Sequence, residues 1–246
     1  MGVCLEHILV ARGDELRILL PILVLATLVV GCSGGLIRPK VEKGIRNALP
    51  NYIGPARQYT VRADGSSTAM LKGFIERLHI EGEEVEISSD LVITRMSVDM
   101  DEVRYDTGAR ELQSVRSTTF QAEMSEDAVN RCVEKANDSD FDLNLRLKPG
   151  EIWVDFVPNV VGVNVPVSIA GRPVIVGGNK VNFEADRATL AYVPLPAYLV
   201  NKVLDKLNPI LDMSTMRFPV TLEVIGVKNG AVVIKGSAQF KPKLKD

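Results

Sequence analysis

Apolar and polar residues alternate along several stretches of the chain, and this period of two predicts β-strands with one buried face. The clearest case is 141–148, where a phenylalanine and three leucines alternate with polar or charged residues. Further strands are predicted at 78–80, 92–100, 118–124, 163–169, 181–185 and 220–224. Gly177-Gly178 and Asn229-Gly230 lie between apolar runs and are typical of hairpin turns, because these residues accept a positive φ at little cost. We therefore expect neighbouring strands to be antiparallel.

Three other stretches carry apolar residues at the spacing of amphipathic helices. The first runs from Val41 and ends at Pro50, and the second begins at Ser125, a favourable cap, and continues to 136. The third begins at Pro196 and ends at Leu207. Roughly eight or more strands with few, separated helices predict the α+β class: a long curved antiparallel β-sheet that wraps amphipathic helices against its apolar face.

The first residues of the chain are typical of an export signal. From 18 to 31 nearly every residue is apolar, and about 14 residues are too few for a membrane-spanning helix, which needs about 20. The segment closes with Val29-Val30-Gly31-Cys32-Ser33, which resembles a bacterial lipobox, where the cysteine sulfur receives diacylglycerol. We expect a signal peptide at 1–31, lipid attachment at Cys32 and a lipidated tether at 32–40. A plain secretory signal or an uncleaved anchor helix, with Cys32 incidental, is the alternative.

The composition suits one folded domain, which we place at 41–240, followed by a basic tail at 241–246. Of the 246 residues 46% are hydrophobic and 24% are charged, as in ordinary globular proteins. The formal charge is -2, and basic residues are interleaved with acids, so the chain lacks the basic stripe that nucleic-acid binding needs. After processing, with Cys32 lipidated, Cys132 would be the one remaining thiol, so no intrachain disulfide is expected.

Few residues of the mature chain could support catalysis. Its one histidine, His79, is expected at the surface, and Cys132 lies on the apolar stripe of its helix and is expected to be a buried structural thiol. Zinc sites built from histidine and cysteine are excluded by number, and acidic pairs such as Asp99 and Asp101 lack the spacing and glycine of a calcium loop. No phosphate loop is present. We therefore predict no enzyme, no metal site and no cofactor.

Several short runs together resemble the LmeA-like family of exported bacterial lipid-binding proteins, over roughly 41–240. The order and the spacing of these runs both match the family. The resemblance implies a fold similar to tubular lipid-binding (TULIP) domains, in which a curved sheet wraps helices around an apolar channel, and an association with phospholipid in the cell envelope. It marks no lipid-contacting residues. The runs are 70–74, 124–130, 179–183, 192–196, 207–214, 218–222 and 228–233.

These observations favour a lipoprotein that binds or shuttles phospholipid or a lipid-linked precursor in an apolar groove. Its partners would be an acyl lipid and the membrane that holds lipidated Cys32, on the periplasmic or extracytoplasmic side of the cell envelope. The alternatives are a non-catalytic envelope scaffold with a packed core and, third, an envelope hydrolase that uses His79. The predicted lining of the groove is Met96, Val98, Met100, Val165, Val167, Leu199, Val203 and Leu207.

Overall fold

The computed structural model of the protein describes residues 37–87, 92–106, 111–136, 143–157, 159–160, 163–190, 193–194, 204, 208–214 and 219–239. The helices in these residues are α1, Ile37–Tyr52, α2, Ser67–Leu71, and α3, Glu126–Ala136. Of the predicted helix at 196–207, Leu204 is described and is helical. The rest of that stretch lies outside the described residues, and so does the predicted leader.

The strands form two larger sheets and one small one. In spatial order the first sheet contains β1 (Ala56–Asp64), β2 (Phe74–Glu86), β3 (Val92–Asp106), β5 (Ser117–Ser125), β15 (Ala231–Ala238) and β14 (Val220–Lys228), with β4 (Glu111–Ser114) paired to β3. The second contains β12 (Val193–Pro194), β11 (Lys180–Leu190), β10 (Val167–Val176), β7 (Glu151–Phe156) and β6 (Asn144–Lys148), with β13 (Leu211–Asp212) paired to β11. The small sheet pairs β8 (Asn159–Val160) with β9 (Val163–Asn164). All of these described pairings are antiparallel, as the predicted turns require.

The first sheet curls into a half-barrel, and α1 fills one end of its concave side. Ile45 and Leu49 of α1 are buried against Val61 of β1 and Ile80 of β2, in what we call the first apolar cluster. A curved antiparallel sheet that wraps helices is the predicted α+β, TULIP-like architecture, which is thereby confirmed.

Helix α1 is longer at both ends than the sequence pattern predicts. It begins at Ile37, so that Pro39 falls in the first turn, where the missing N–H has no intrahelical acceptor to lose. It also continues past Pro50 to Tyr52. Pro50 forfeits one hydrogen bond near the end of the helix, and the N–H of Ile53 still donates to the carbonyl of Leu49 over 2.9 Å.

The second sheet covers the other end of the half-barrel. Its buried Ile152 and Ile169 pack against Val227 and Val232 of the first sheet, and this group forms the second apolar cluster. Two hairpin turns also join the sheets, since the N–H of Gly150 donates to Val227 and the N–H of Gly230 donates to Leu147, over 2.9 and 3.0 Å. The core is thus divided between α1 at one end and the second sheet at the other.

The alternation at 163–169 predicts one continuous strand, and this prediction is wrong. The structure divides the stretch into β9, which turns back on β8, and β10, which pairs with β7 and β11. Pro166 lies between them and has no N–H to donate to a ladder. Pro166 falls on one of the polar positions of the alternation, so the period of two alone does not reveal the break.

Helix α3 is bound to the edge of the second sheet through polar side chains. Its cap is the predicted one, because the Ser125 hydroxyl accepts a hydrogen bond from the N–H of Ala128 over 3.2 Å. The Asn130 side chain then bonds both backbone groups of Leu145 in β6, accepting from the N–H over 2.7 Å and donating to the carbonyl over 2.8 Å. The side-chain amide thereby takes the place of a neighbouring strand.

The same arrangement occurs on β11 of the second sheet. Asn208 accepts from the N–H of Phe183 over 2.7 Å and donates to its carbonyl over 3.0 Å. Phe183 lies between the part of β11 that pairs with β13 and the part that pairs with β12. Because Asn208 also donates its N–H to helical Leu204 over 2.9 Å, the helical turn at 204 is fixed to this strand.

We expect Asn130→Ala to destabilise the fold by about 1–2 kcal/mol, because both backbone groups of Leu145 lose their partners in a half-buried place. Urea unfolding followed by circular dichroism measures this. Asn144→Ala, at an exposed position of β6, is the matched control and should change the free energy of unfolding little. Equal losses in the two variants would contradict the role assigned to Asn130.

Candidate functional site

An apolar strip crosses the concave face of the first sheet between the two filled ends. Strand register defines it, since directly paired residues of antiparallel strands present their side chains on the same face. Met96 pairs with Ala122 and Val98 with Phe120, and Ile234 pairs with both Ala122 and Ile225. We define the apolar strip as Met96, Val98, Met100, Phe120, Ala122, Ile225 and Ile234.

The residues of the strip are half-buried, whereas the apolar clusters that flank it at either end consist of buried residues. On the β3 side Met96, Val98 and Met100 pack against the first apolar cluster. On the other side Ile225 and Ile234 pack against the second cluster and also against a third, formed by Val181, Val220 and Leu222. The strip therefore links all three clusters and has apolar surface left to offer a ligand.

The structure places five of the eight predicted lining residues. Met96, Val98 and Met100 lie on the strip, and Val167 is buried in the second cluster. Val165 is half-buried just before β10. The three remaining residues, Leu199, Val203 and Leu207, lie outside the described residues, although their helical neighbour Leu204 packs against the second cluster.

Sequence reasoning missed Phe120, Ala122, Ile225 and Ile234. Each belongs to a strand or an apolar run that the pattern identifies, but the pattern does not say that β5 lies between β3 and β15. The turn at Asn229-Gly230 does contain the signal for one pair, because a two-residue hairpin loop at this position brings Ile225 opposite Ile234.

An open cavity of about 590 Å³ adjoins the Met96 end of the strip. Thr94, two residues before Met96 on the same strand, lines the cavity and connects it to the strip. Charged side chains of both signs also line it. The Ser125 N–H, at the start of α3, donates to the Thr94 hydroxyl over 3.0 Å. The cavity is lined by Pro55, Ala56, Arg57, Glu84, Glu86, Val92, Thr94, Ser125 and Arg131.

The opposite face of the first sheet is polar, and His79 lies there as predicted. Its Nδ1 is 2.6 Å from a carboxylate oxygen of Asp99, and its Nε2 is 3.2 Å from one of Glu81. The hydrogen bond to Asp99 is the main reason why the pKa of His79 is raised above its ordinary value of 6.5. An imidazolium held between two carboxylates has no free ring nitrogen with which to act as a general base.

The pKa of His79 is raised in the folded state. The free energy by which protonated His79 stabilises the fold is therefore fully present below pH 6.5, the ordinary pKa of histidine. It is lost as the pH rises through the higher folded-state value. We expect the difference in unfolding free energy between the native protein and His79→Gln to be largest in mild acid and to shrink in mild alkali. Urea unfolding at several pH values measures it, and a difference that grows with pH would contradict the assignment.

Neither a spanning helix nor a metal cluster is found in the described part of the chain. No helix there combines the length and the apolar character that a membrane crossing needs. Among the same residues no group of three or more histidine, cysteine, aspartate or glutamate side chains could hold a metal ion. Asp99 and Asp101, one of the acidic pairs, are engaged with His79 and with the Ser117 hydroxyl. The side chain of Cys132 lies outside what the structure describes.

Comparison with known proteins gives one match. The sequence profile described as LmeA-like phospholipid-binding matches residues 34–237, which is most of the chain. No curated protein and no solved structure matches this chain significantly. The matched range includes α1, both larger sheets except Ala238 at the end of β15, and every residue of the apolar strip.

Proposed function

Because the chain belongs to the LmeA-like phospholipid-binding family, we propose that it is a lipid-anchored envelope protein that holds phospholipid acyl chains against the apolar strip. The continuity of half-buried apolar side chains from β3 to β14 is the observation that carries this proposal. The family is one of lipid-binding proteins, and we propose a binding or shuttling role for this member and not a catalytic one.

The strip offers enough apolar contact to retain a lipid. Burial of a methylene group contributes about 0.8 kcal/mol, so about eight methylenes seated on the strip would contribute about 6 kcal/mol. Met96 and Met100 are unbranched and adapt their shape to chains of different length and unsaturation. Selection by acyl chain would therefore be weak, and the headgroup would supply what specificity there is.

We place the headgroup in the cavity at the Met96 end. Arg57 and Arg131 line it together with Glu84 and Glu86, so both signs of charge are available. Arg57 is already engaged, since its guanidinium lies 3.2 Å from Glu84. Arg131 is exposed on α3 and faces the cavity, where it suits a phosphate oxygen.

Lipidation of Cys32 would keep this domain beside a membrane. Only four residues lie between Cys32 and Ile37, the first residue of α1, so the two are five Cα–Cα steps apart. At about 3.5 Å per residue the anchor lies within about 18 Å of the helix. A domain held so close to the bilayer can exchange lipid with it without leaving the surface. Its location on the extracytoplasmic side of the envelope is part of the same proposal.

Native mass spectrometry of the full chain, followed by extraction and identification of any lipid, tests the proposal. We expect a phospholipid to copurify and to exchange with lipid from added vesicles. The Cys32→Ser variant should lose the mass of the attached diacylglycerol, while it keeps the bound phospholipid. A chain that carries no lipid and takes none up would fit the packed scaffold instead.

A further inference from the structure

The segment that contains helix α1 is basic, although the chain as a whole is not. Residues 33–55 include four basic residues and one acid, a net charge of +3, whereas the full chain carries -2. Six of the ten described arginines outside this segment lie within 4.0 Å of an acid, as Arg116 does beside Glu102. Positive charge is therefore concentrated in the part of the chain that directly follows Cys32.

Three of these cations lie on one face of α1. The helix packs against the first apolar cluster through Ile45 and Leu49, which are four residues apart and share a face. Three cations and an asparagine project from the opposite side of the helix, at intervals of three and four residues, and all four side chains are exposed. We name this set the basic face: Lys40, Lys43, Arg46 and Asn47.

The one acid of the helix does not neutralise the basic face. Glu42 is bound to the first sheet, since its carboxylate accepts a hydrogen bond from the N–H of Ala63 in β1 over 3.0 Å. The helix forms an ion pair through Arg38, which lies 3.9 Å from Asp64 and is not part of the basic face. Among the residues that the structure describes, no acid comes within 4.0 Å of the three cations of the basic face. Their charges are available to an anionic partner.

Helix α1 connects the proposed anchor to the proposed headgroup cavity. It begins five residues after Cys32. Pro55 and Ala56, which line the cavity, follow the last residue of the helix by three and four residues. The Tyr59 hydroxyl donates to the carbonyl of Gly54 over 2.9 Å, and this bond fixes the connection between the helix and β1. A helix that lay along a membrane would therefore hold the open cavity close to the lipid headgroups.

We propose that the basic face of α1 lies against anionic phospholipid headgroups of the membrane that holds Cys32. Lysine and arginine are attracted to such a surface, but only within about 8–10 Å at physiological salt, and the anchor keeps the helix in that range. Residues 56–246 contain 23 basic residues and 27 acids, a net charge of -4, and are repelled by the same surface. The two effects together orient the domain. This inference rests on the proposed lipid-anchored function and names the surface that meets the membrane.

Energy transfer from tryptophan to dansyl-labelled headgroups tests the orientation. The full chain carries one tryptophan, so Trp153→Phe provides a silent background for Asn47→Trp, which places a donor on the basic face. The matched position is Val224→Trp, because Val224 is 52% exposed and pairs with Lys235 on the polar face of the first sheet. Both lipidated chains are reconstituted in vesicles of phosphatidylcholine, phosphatidylglycerol and dansyl-phosphatidylethanolamine. We expect transfer from position 47 to exceed that from 224 by about threefold or more.

Charge variants separate electrostatic docking from simple closeness to the anchor. Removal of the three cations of the basic face should lower the transfer from position 47 about twofold or more on these vesicles. Removal of three exposed cations from the polar face of the first sheet should leave it unchanged. The first variant combines Lys40→Gln, Lys43→Gln and Arg46→Gln, and the control combines Arg62→Gln, Arg95→Gln and Lys235→Gln.

Equal transfer from the two tryptophan positions would overturn the proposal. A loss of transfer in both charge variants, or in neither, would also overturn it, and so would the same transfer from position 47 on vesicles that lack phosphatidylglycerol. The outcome is separable from the proposed function. A lipidated chain that retains phospholipid but shows no dependence on the three cations refutes the basic face alone, whereas a chain that shows this dependence but binds no phospholipid refutes the lipid site alone.

Discussion

Met96→Gln should weaken lipid binding about five- to a hundredfold. Glutamine has nearly the size of methionine, but its amide would lie on the apolar strip, where an acyl chain offers no hydrogen-bond partner. Burying this amide under an acyl chain without a hydrogen bond costs about 1–3 kcal/mol of binding free energy. Displacement of a fluorescent acyl probe from the full chain measures the change in affinity.

Ser97→Gln is the matched control for this substitution. Ser97 is the next residue of β3 and lies on the opposite, polar face, between Glu81 and Gln121. The Ser97→Gln variant carries the same new side chain one position away, so the affinity of this variant for lipid should stay within about twofold of the native value. Equal weakening in both variants would show that the affinity does not depend on the face, and the apolar strip would then not be the lipid site.

Gly171→Ala should lower the free energy of unfolding by about 3 kcal/mol or more, because it forces two backbones apart. Gly171 lies at the irregular point of β10, where the register with β11 shifts, and it also pairs with Ile152 of β7. A Cβ added there would lie 2.0 Å from the carbonyl oxygen of Glu184. Backbone within a central ladder cannot move aside as a flexible side chain can.

Gly226→Ala provides the comparison for Gly171→Ala. Gly226 also lies within a strand, but no atom outside its chain neighbours comes within 4 Å of an added Cβ. The free energy of unfolding of the Gly226→Ala variant, measured by urea denaturation, should therefore stay within about 0.5 kcal/mol of the native value. If the two glycines responded alike, the close approach to Glu184 would not be the cause.

Most of the fold is predictable from local pattern. The period of two identifies the strands, and Gly177-Gly178 and Asn229-Gly230 identify two hairpins, because both signals depend on neighbouring residues. The predictions that failed depend on hydrogen bonds. The position of Pro50 relative to the end of α1 and the break at Pro166 follow from which N–H groups need partners, and hydrophobic spacing carries no such information.

The site was predictable only in part, for a related reason. Met96, Val98 and Met100 are identified as one face of one strand by alternation alone. Their neighbours on the strip, Phe120 and Ile234, are supplied by strands that follow by about 20 and by more than 130 residues. Such pairing is a property of the topology, and a single sequence shows it only where a short turn joins the two strands.

The bonds that fix α3 to β6 also decide what can happen when two copies of the protein meet. The outward backbone groups of Leu145 are taken by Asn130, and those of Leu147 are taken by the Glu126 carboxylate and the N–H of Gly230, over 2.6 and 3.0 Å. A strand from another copy would find no vacant donor or acceptor at these positions, so the ladder cannot extend from one copy to the next. Crowded on a membrane surface, as we propose, the copies would remain separate along this edge.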